Sequence, residues 1–243
     1  MGVRIARCSL ALGGLTYSSW VLALMLPTGL KQQTAFASEM EAVGHPYAWV
    51  FRGADLLSGT LICLGATAGL GWARRQPGRR LLQLMLIATA AVGVTLCATA
   101  LMPVDCSGSN GQCRAIRARG APRTWHDIAH HDISNISGSA FSLALLAFIV
   151  LVALGGGGRA ARIWVLPLLL LSAFTSTLMT DLLWTASTQG IPQRIEEAAE
   201  SLFFLVVAVD IGHPSRPLRR ISSSNMFSSG RVVEESSSVQ LSN

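Results

Sequence analysis

The chain has 243 residues, of which 51% are apolar and only 13% charged, with a net charge of +6 that is almost wholly arginine, Lys31 being the sole lysine. A soluble domain carries roughly twice that charged fraction, and the apolar residues here form long unbroken blocks instead of the alternation of half-buried elements. The arginines fall in short clusters between those blocks, a placement that excludes a nucleic-acid-binding face and fits membrane topology signals and lipid headgroups.

The first apolar block runs from about Cys8 to Pro27, after Arg4 and Arg7. Ala35-Phe36-Ala37 offers the rival reading of a cleavable signal peptide. The block is longer than the usual signal core of about 7–15 residues and the small-residue site lies well past its end, so a retained helix is expected. The second block, about Trp49 to Trp72, carries Arg52 and Asp55 near its start, at a spacing that allows an ion pair. A turn containing Arg74, Arg75, Arg79 and Arg80 leads to the third block, about Leu81 to Met102.

A polar loop from Pro103 to Asp132 precedes the fourth block, about Ile133 to Leu154, which ends in Gly155 to Gly158, read as a flexible connector. The fifth block spans about Ile163 to Trp184 and contains Asp181. After the polar turn Thr185 to Arg194, a sixth helix reaches about Ile211. Its early Glu196, Glu197 and Glu200 are too polar for lipid and predict an interfacial or interior face. Each block is near the roughly 20 residues needed to cross a bilayer. The expected fold is therefore an all-α, polytopic bundle of about six transmembrane helices over residues 1–212, with membrane lipids as its surroundings. A Ser-rich tail, 213–243, has a composition that cannot bury a core.

Arg4/Arg7, the Arg74–Arg80 turn, Arg159/Arg162 and Arg216/Arg219/Arg220 all fall on one side of a six-helix arrangement. The positive-inside rule makes that side, and both termini, cytoplasmic in a plasma-membrane protein. Residues 103–132 are then extracytoplasmic, although Arg114, Arg117, Arg119 and Arg123 run against the rule. Cys8, Cys63 and Cys97 lie in apolar blocks as small hydrophobes. Cys106 and Cys113 flank a short polar segment on the oxidising side, where a disulfide is expected over two free thiols. Their spacing is wider than that of a zinc-binding pair.

The stretch Trp125-His126-Asp127-Ile128-Ala129-His130-His131-Asp132 bears the densest chemistry. As a helix it places His126 and His130 one turn apart on one face, with Asp127 and His131 on the next. Two imidazoles at that spacing can share a zinc ion, with Asp55 as the third ligand and His45 or Asp105 as further donors from the same side. Asp127 or His131 would then orient a ligand or move protons. The competing reading is structural, with acidic groups favoured at a helix N-terminus.

Met102-Pro103-Val104-Asp105, then Thr124-Trp125-His126 with His130, then Ser139 and Phe141, resembles the bacterial, actinobacterial-type membrane family known as domain of unknown function 998. His45-Pro46-Tyr47-Ala48-Trp49 through Asp55-Leu56-Leu57, and Gly190-Ile191-Pro192-Gln193-Arg194, are similar to that family as well, so the resemblance covers roughly residues 8 to 212. It implies a six-helix bundle and no activity, and Cys106 to Cys113 replace a Gly-Phe-Pro-Pro-Gly-like loop seen in many members.

Two functions stay open. One is a metal-dependent hydrolase of a lipid or amide, with zinc on His126, His130 and Asp55 generating a nucleophilic water. Its layout is similar to that of the seven-helix superfamily containing alkaline ceramidases, though this chain has fewer helices and lacks that group's second histidine pair. The other is non-enzymatic: a sensor, accessory subunit or small-ligand-binding protein. The helix centres lack the charged relay of an ion-coupled pump.

Overall fold

A computed structural model describes residues 1–76, 79–179 and 190–212. The Ser-rich tail, Asp181 and the turn before Gly190 lie outside the described residues. The elements are all helical: α1 (Gly2–Tyr17), α2 (Ala48–Ala73), α3 (Arg79–Leu101), α4 (Gly111–Ala118), α5 (Trp125–Ala153), α6 (Arg159–Met179) and α7 (Gly190–Asp210), with 3-10 segments at Ser18–Leu24 and Ala37–Glu41. Six of these are long and form the bundle expected from the sequence, while α4 is an eight-residue helix inside the polar loop.

Ala48–Ala73, Arg80–Leu101 and Trp125–Ala153 are long and apolar enough to cross a membrane. The first block reaches comparable length by a different route. Its 16 α-helical residues pass into seven of 3-10 helix, about 24 Å and about 14 Å of rise respectively. The switch falls where Thr16 bonds the Leu12 and Gly13 carbonyls and Ser18 bonds that of Gly14, hydroxyls competing with the backbone ladder. Pro167 lies inside α6, a position tolerated where neighbouring helices cover the freed backbone groups.

The helices pack in chain order, α1 on α2, α2 on α3 and α3 on α5, with α6 on α7 and α7 returning to α1. Phe203 of α7 sits at the centre, fully buried, with edge-on rings of Phe141, Phe148 and Phe204 at 5.5, 5.6 and 5.7 Å. Between helices with no water to exclude, small residues let backbones approach and gain contact. Gly59 and Gly93 do this for α2 and α3: a Cβ on Gly93 would lie 2.7 Å from the Gly59 carbonyl and from the Cys63 nitrogen.

The two ends of the bundle differ. At one end, Arg7 donates to the Ile211 carbonyl at 2.8 Å, tying the start of α1 to the end of α7. There too, Gly155 and Gly157 turn with positive φ, and Asp210 accepts from the Gly158 amide at 2.6 Å. The glycine run forms the cap of α5 and the turn into α6, where the sequence predicts a connector. The opposite end carries the 3-10 segments, α4 and the starts of α5 and α7, and nearly all the polar chemistry.

Candidate functional site: an acidic cavity beneath stapled loops

The polar octet at 125–132 is helical and continuous with α5, so this helix starts a full two turns before the apolar block. Thr124 caps it, its hydroxyl accepting from the Asp127 amide. His126 and His130 stand one turn apart as expected, but their partners separate them. The ring of His126 lies 3.8 Å from that of Trp125. His130 is 3% exposed and its Nδ1 bonds the Met102 carbonyl at 2.9 Å. His131 is exposed. His45 bonds the neighbouring Pro46 carbonyl through Nδ1. Of the expected zinc ligands, only His130 and Asp55 line a common cavity. Among the described residues no group of three or more His, Cys, Asp or Glu is placed to hold a metal ion. The donor set as it stands does not fit the zinc site that the histidine spacing suggested.

Asp127 is a strut. Its carboxylate lies 3.0 Å from Arg117 and 3.5 Å from Arg123, and accepts from the Asp105 amide at 3.2 Å. Arg117 also pairs with Asp105 at 3.1 Å, and Asp105 in turn accepts from the amide and hydroxyl of Thr124. Burial alone would raise the Asp105 carboxyl, but the Thr124 hydrogen bonds and the Arg117 charge outweigh it and hold it below the usual range. With its oxygens so engaged, Asp127 is poorly placed to act as a base. Arg52 donates to the Ala100 carbonyl at 2.9 Å, at the C-terminal end of α3 where a cation is favoured. It turns toward α3 while Asp55 faces the cavity, which corrects the expected Arg52–Asp55 pair.

Three further staples hold the loops of this end. Cys106 and Cys113 form a disulfide. Glu39, 6% exposed, accepts from the hydroxyl of Ser107 and from the Ser109 amide at 2.8 Å, clamping the disulfide loop to the second 3-10 segment. Arg194, 7% exposed, donates to the carbonyls of Gln32, Ala35 and Gly190, each at 2.8 Å, while Gln193 accepts from the Ala37 amide at 2.7 Å.

Beneath these loops lies a cavity of about 150 Å³ between α1, α2, α5, α7 and the second 3-10 segment. Glu41, Asp55, Glu196, Glu197 and Glu200 line it, beside Tyr17, Trp20, Phe51 and His130, and no lysine or arginine does so. Glu41 and Asp55 share a hydrogen bond, so one of the two carboxyls carries the proton between them. Burial, and next the charge of Asp55, pushes the Glu41 carboxyl well above its ordinary value. Tyr17 donates to Glu200. A second, larger recess runs between Lys31, Glu39, Arg114 and His131.

Residues 10–210 match the family described as "Protein of unknown function (DUF998)". The chain belongs to this family. No curated protein and no solved structure matches it.

The segments by which this DUF998 chain resembles its family coincide with the staples. Met102-Pro103-Val104-Asp105 supplies the carbonyl for His130, a Val104 carbonyl that accepts from the Val43 amide, and the carboxylate held by Thr124 and Arg117. Gly190 to Arg194 supplies the clamp on residues 32–37. The sequence marks Asp55 as a candidate metal ligand and Glu196, Glu197 and Glu200 as an interfacial or interior face, but gives no such sign for Tyr17, Trp20 and Glu41. Glu41 sits in an irregular loop, where no helical period marks a residue as facing inward. A short Glu39-Met40-Glu41 run beside an apolar block was the one available signal.

Proposed function

We propose that this DUF998 chain is a ligand-binding protein of the plasma membrane whose binding site is the acidic cavity, reached from the extracytoplasmic side. The observation that carries this reading is a cavity ringed by five carboxyl groups, with His130 but no lysine or arginine among the described residues of its lining. Intramembrane ionisable groups are costly and mark functional pathways when they persist. The side is read from Arg4, Arg7, Arg74, Arg75, Arg159 and Arg162, at the helix ends opposite the cavity, which favour the cytoplasm. Arg117 and Arg123, two of the four loop arginines that ran against this orientation, are committed to Asp105 and Asp127. Such a protein acts as a sensor, an accessory subunit or a small carrier.

The test joins access to binding. Ser137→Cys, on the cavity wall, should react with a membrane-impermeant thiol reagent added outside intact cells, above the level of the parent chain with its free Cys8, Cys63 and Cys97. A solute from a mixed panel of cations, sugars and neutral compounds should slow that reaction. Labelling from the cytoplasmic side alone, or labelling unaffected by every solute, overturns the reading.

The hydrolase remains as a second reading, because Asp55 and His130 line the same cavity. Metal analysis of the purified protein decides it. Stoichiometric zinc that is lost in His126→Ala/His130→Ala replaces the binding reading with metal chemistry.

A further inference from the structure

The acidic cavity holds more hydrogen-bonding capacity than its own walls satisfy. The Glu41–Asp55 and Tyr17–Glu200 hydrogen bonds use part of it. Oε2 of Glu41 and Oε2 of Glu197 are fully buried and meet no donor. Glu41 as a whole is only 5% exposed, so bulk water does not solvate its free oxygen. On the same wall the indole Nε1 of Trp20 is a buried donor without an acceptor. Such groups are costly when left unmet, and native interiors rarely keep them without a partner. The cavity therefore asks for a guest with two properties: N–H donors that carry positive charge, and at least one oxygen acceptor.

Size and shape narrow the guest. A cavity of about 150 Å³ matches the volume at which an interior takes up a molecule the size of benzene, about six heavy atoms. Metal ions want three or more donors converging on one point, and among the described residues no such set exists. A quaternary ammonium has charge but no N–H to give the orphaned carboxylate oxygens. The faces of Tyr17, Trp20 and Phe51 line the same space and favour an organic cation over a hydrated one.

We propose that the cavity binds a small protonated primary amine bearing an oxygen acceptor, of the ethanolamine class, with its ammonium on Glu41 and Glu197 and its oxygen accepting from Trp20. This rests on the cavity being the binding site and names the class of ligand it takes.

Calorimetric titration of the full chain in lipid nanodiscs tests it, with ethanolamine hydrochloride as the probe and tetramethylammonium chloride and ethylene glycol as comparisons. Saturable ethanolamine binding is expected, with both comparisons at least tenfold weaker. Glu41→Gln and Glu197→Gln, made separately and each checked for folding by size exclusion and circular dichroism, should each weaken ethanolamine at least tenfold. Should one variant not fold, the other carries the comparison. No ethanolamine binding, equal binding of either comparison compound, or undiminished binding in a folded variant overturns the proposal. The cavity reading fails by a separate sign, the indifference of Ser137→Cys labelling to every solute. A sugar or neutral compound that protects that thiol while ethanolamine does not would overturn the amine and leave the cavity standing.

Discussion

Arg117 lies 3.0 Å from Asp127, a carboxylate whose side chain is only 4% exposed, while the arginine side chain is 24% exposed. Arg117 is the nearer of two cations on this buried carboxylate, Arg123 standing at 3.5 Å. Removing one partner of a largely buried pair strands the other, and costs about 3 kcal/mol. Arg117→Ala should therefore free residues 103–124 and lower the melting temperature of the detergent-solubilised protein. Arg117→Ala/Asp127→Asn should recover part of the loss, because the more buried of the two carboxylates that Arg117 pairs with is then uncharged. A double mutant as unstable as the single one would show that the pair is not what holds the loop.

Asp105 gives that loop an acid limit. Its carboxyl is held below the ordinary value, so the folded protein binds this proton less readily than the unfolded chain does. The contribution is complete above the unfolded value, roughly pH 4, and is lost as pH falls through the folded one. Limited proteolysis by pepsin should cut within 106–123 only once the pH drops below that range. Thr124→Val removes the hydroxyl bond to the carboxylate and keeps the amide one, and should shift the onset of cutting to higher pH.

The disulfide adds a second constraint on the same loop. Cys106 and Cys113 are seven positions apart, and closing so small a ring removes about 2.5 kcal/mol of chain entropy from the unfolded state. Non-reduced protein should incorporate maleimide at Cys8, Cys63 and Cys97 alone after denaturation, and at two more sites after reduction. Cys106→Ser/Cys113→Ser should keep the helix bundle, because Glu39 still holds Ser107 and Ser109, while amide exchange in 106–114 accelerates.

Gly93 tests the membrane-embedded packing. A side chain there must displace the backbone of α2 at Gly59 and Cys63, with no flexible neighbour to yield. Gly93→Val should cost about 3 kcal/mol, the upper range for overpacking, read as a loss of folded monomer in detergent. Gly71, whose Cβ would meet nothing within 4 Å, is the matched control, and Gly71→Ala should leave the melt unchanged.

Arg194 makes its bonds to loop carbonyls as a fork, reaching Gln32, Ala35 and Gly190 from one nitrogen and the Gln32 side chain from the other. A lysine has the charge without that planar reach. Arg194→Lys and Arg194→Met should both accelerate amide exchange over residues 30–37 at least tenfold. Retention of protection in the lysine variant would show that charge alone suffices.

What the sequence made legible was set by locality. α2, α3 and α5 announce themselves as long apolar runs, and Glu196, Glu197 and Glu200 announce a polar face on α7 by their helical spacing. The i, i+4 spacing of His126 and His130 is equally local, and the helix does form. It did not predict a ligand pair, because His130 is oriented by the Met102 carbonyl from another segment. Arg52 is the same case: its neighbour at i+3 was visible, and its partner at Ala100 was not. Glu41 reaches the cavity only because Arg194, Gln193 and Glu39 fold the first loop back over it. Those contacts join residues up to 162 positions apart, beyond what spacing within one segment encodes.

The bond from Arg7 to Ile211 bridges 204 positions, and it has a meaning for biosynthesis. A chain emerges from the ribosome in order, so α1 is made first and α7 last. The face of α1 that carries Gly14 and Tyr17 is the one α7 covers, with Ser201 and Phe204 against it. Until α7 arrives, that face lacks the packing of Ser201 and Phe204. The helices inserted earlier must wait half-assembled until Gly190–Asp210 is made.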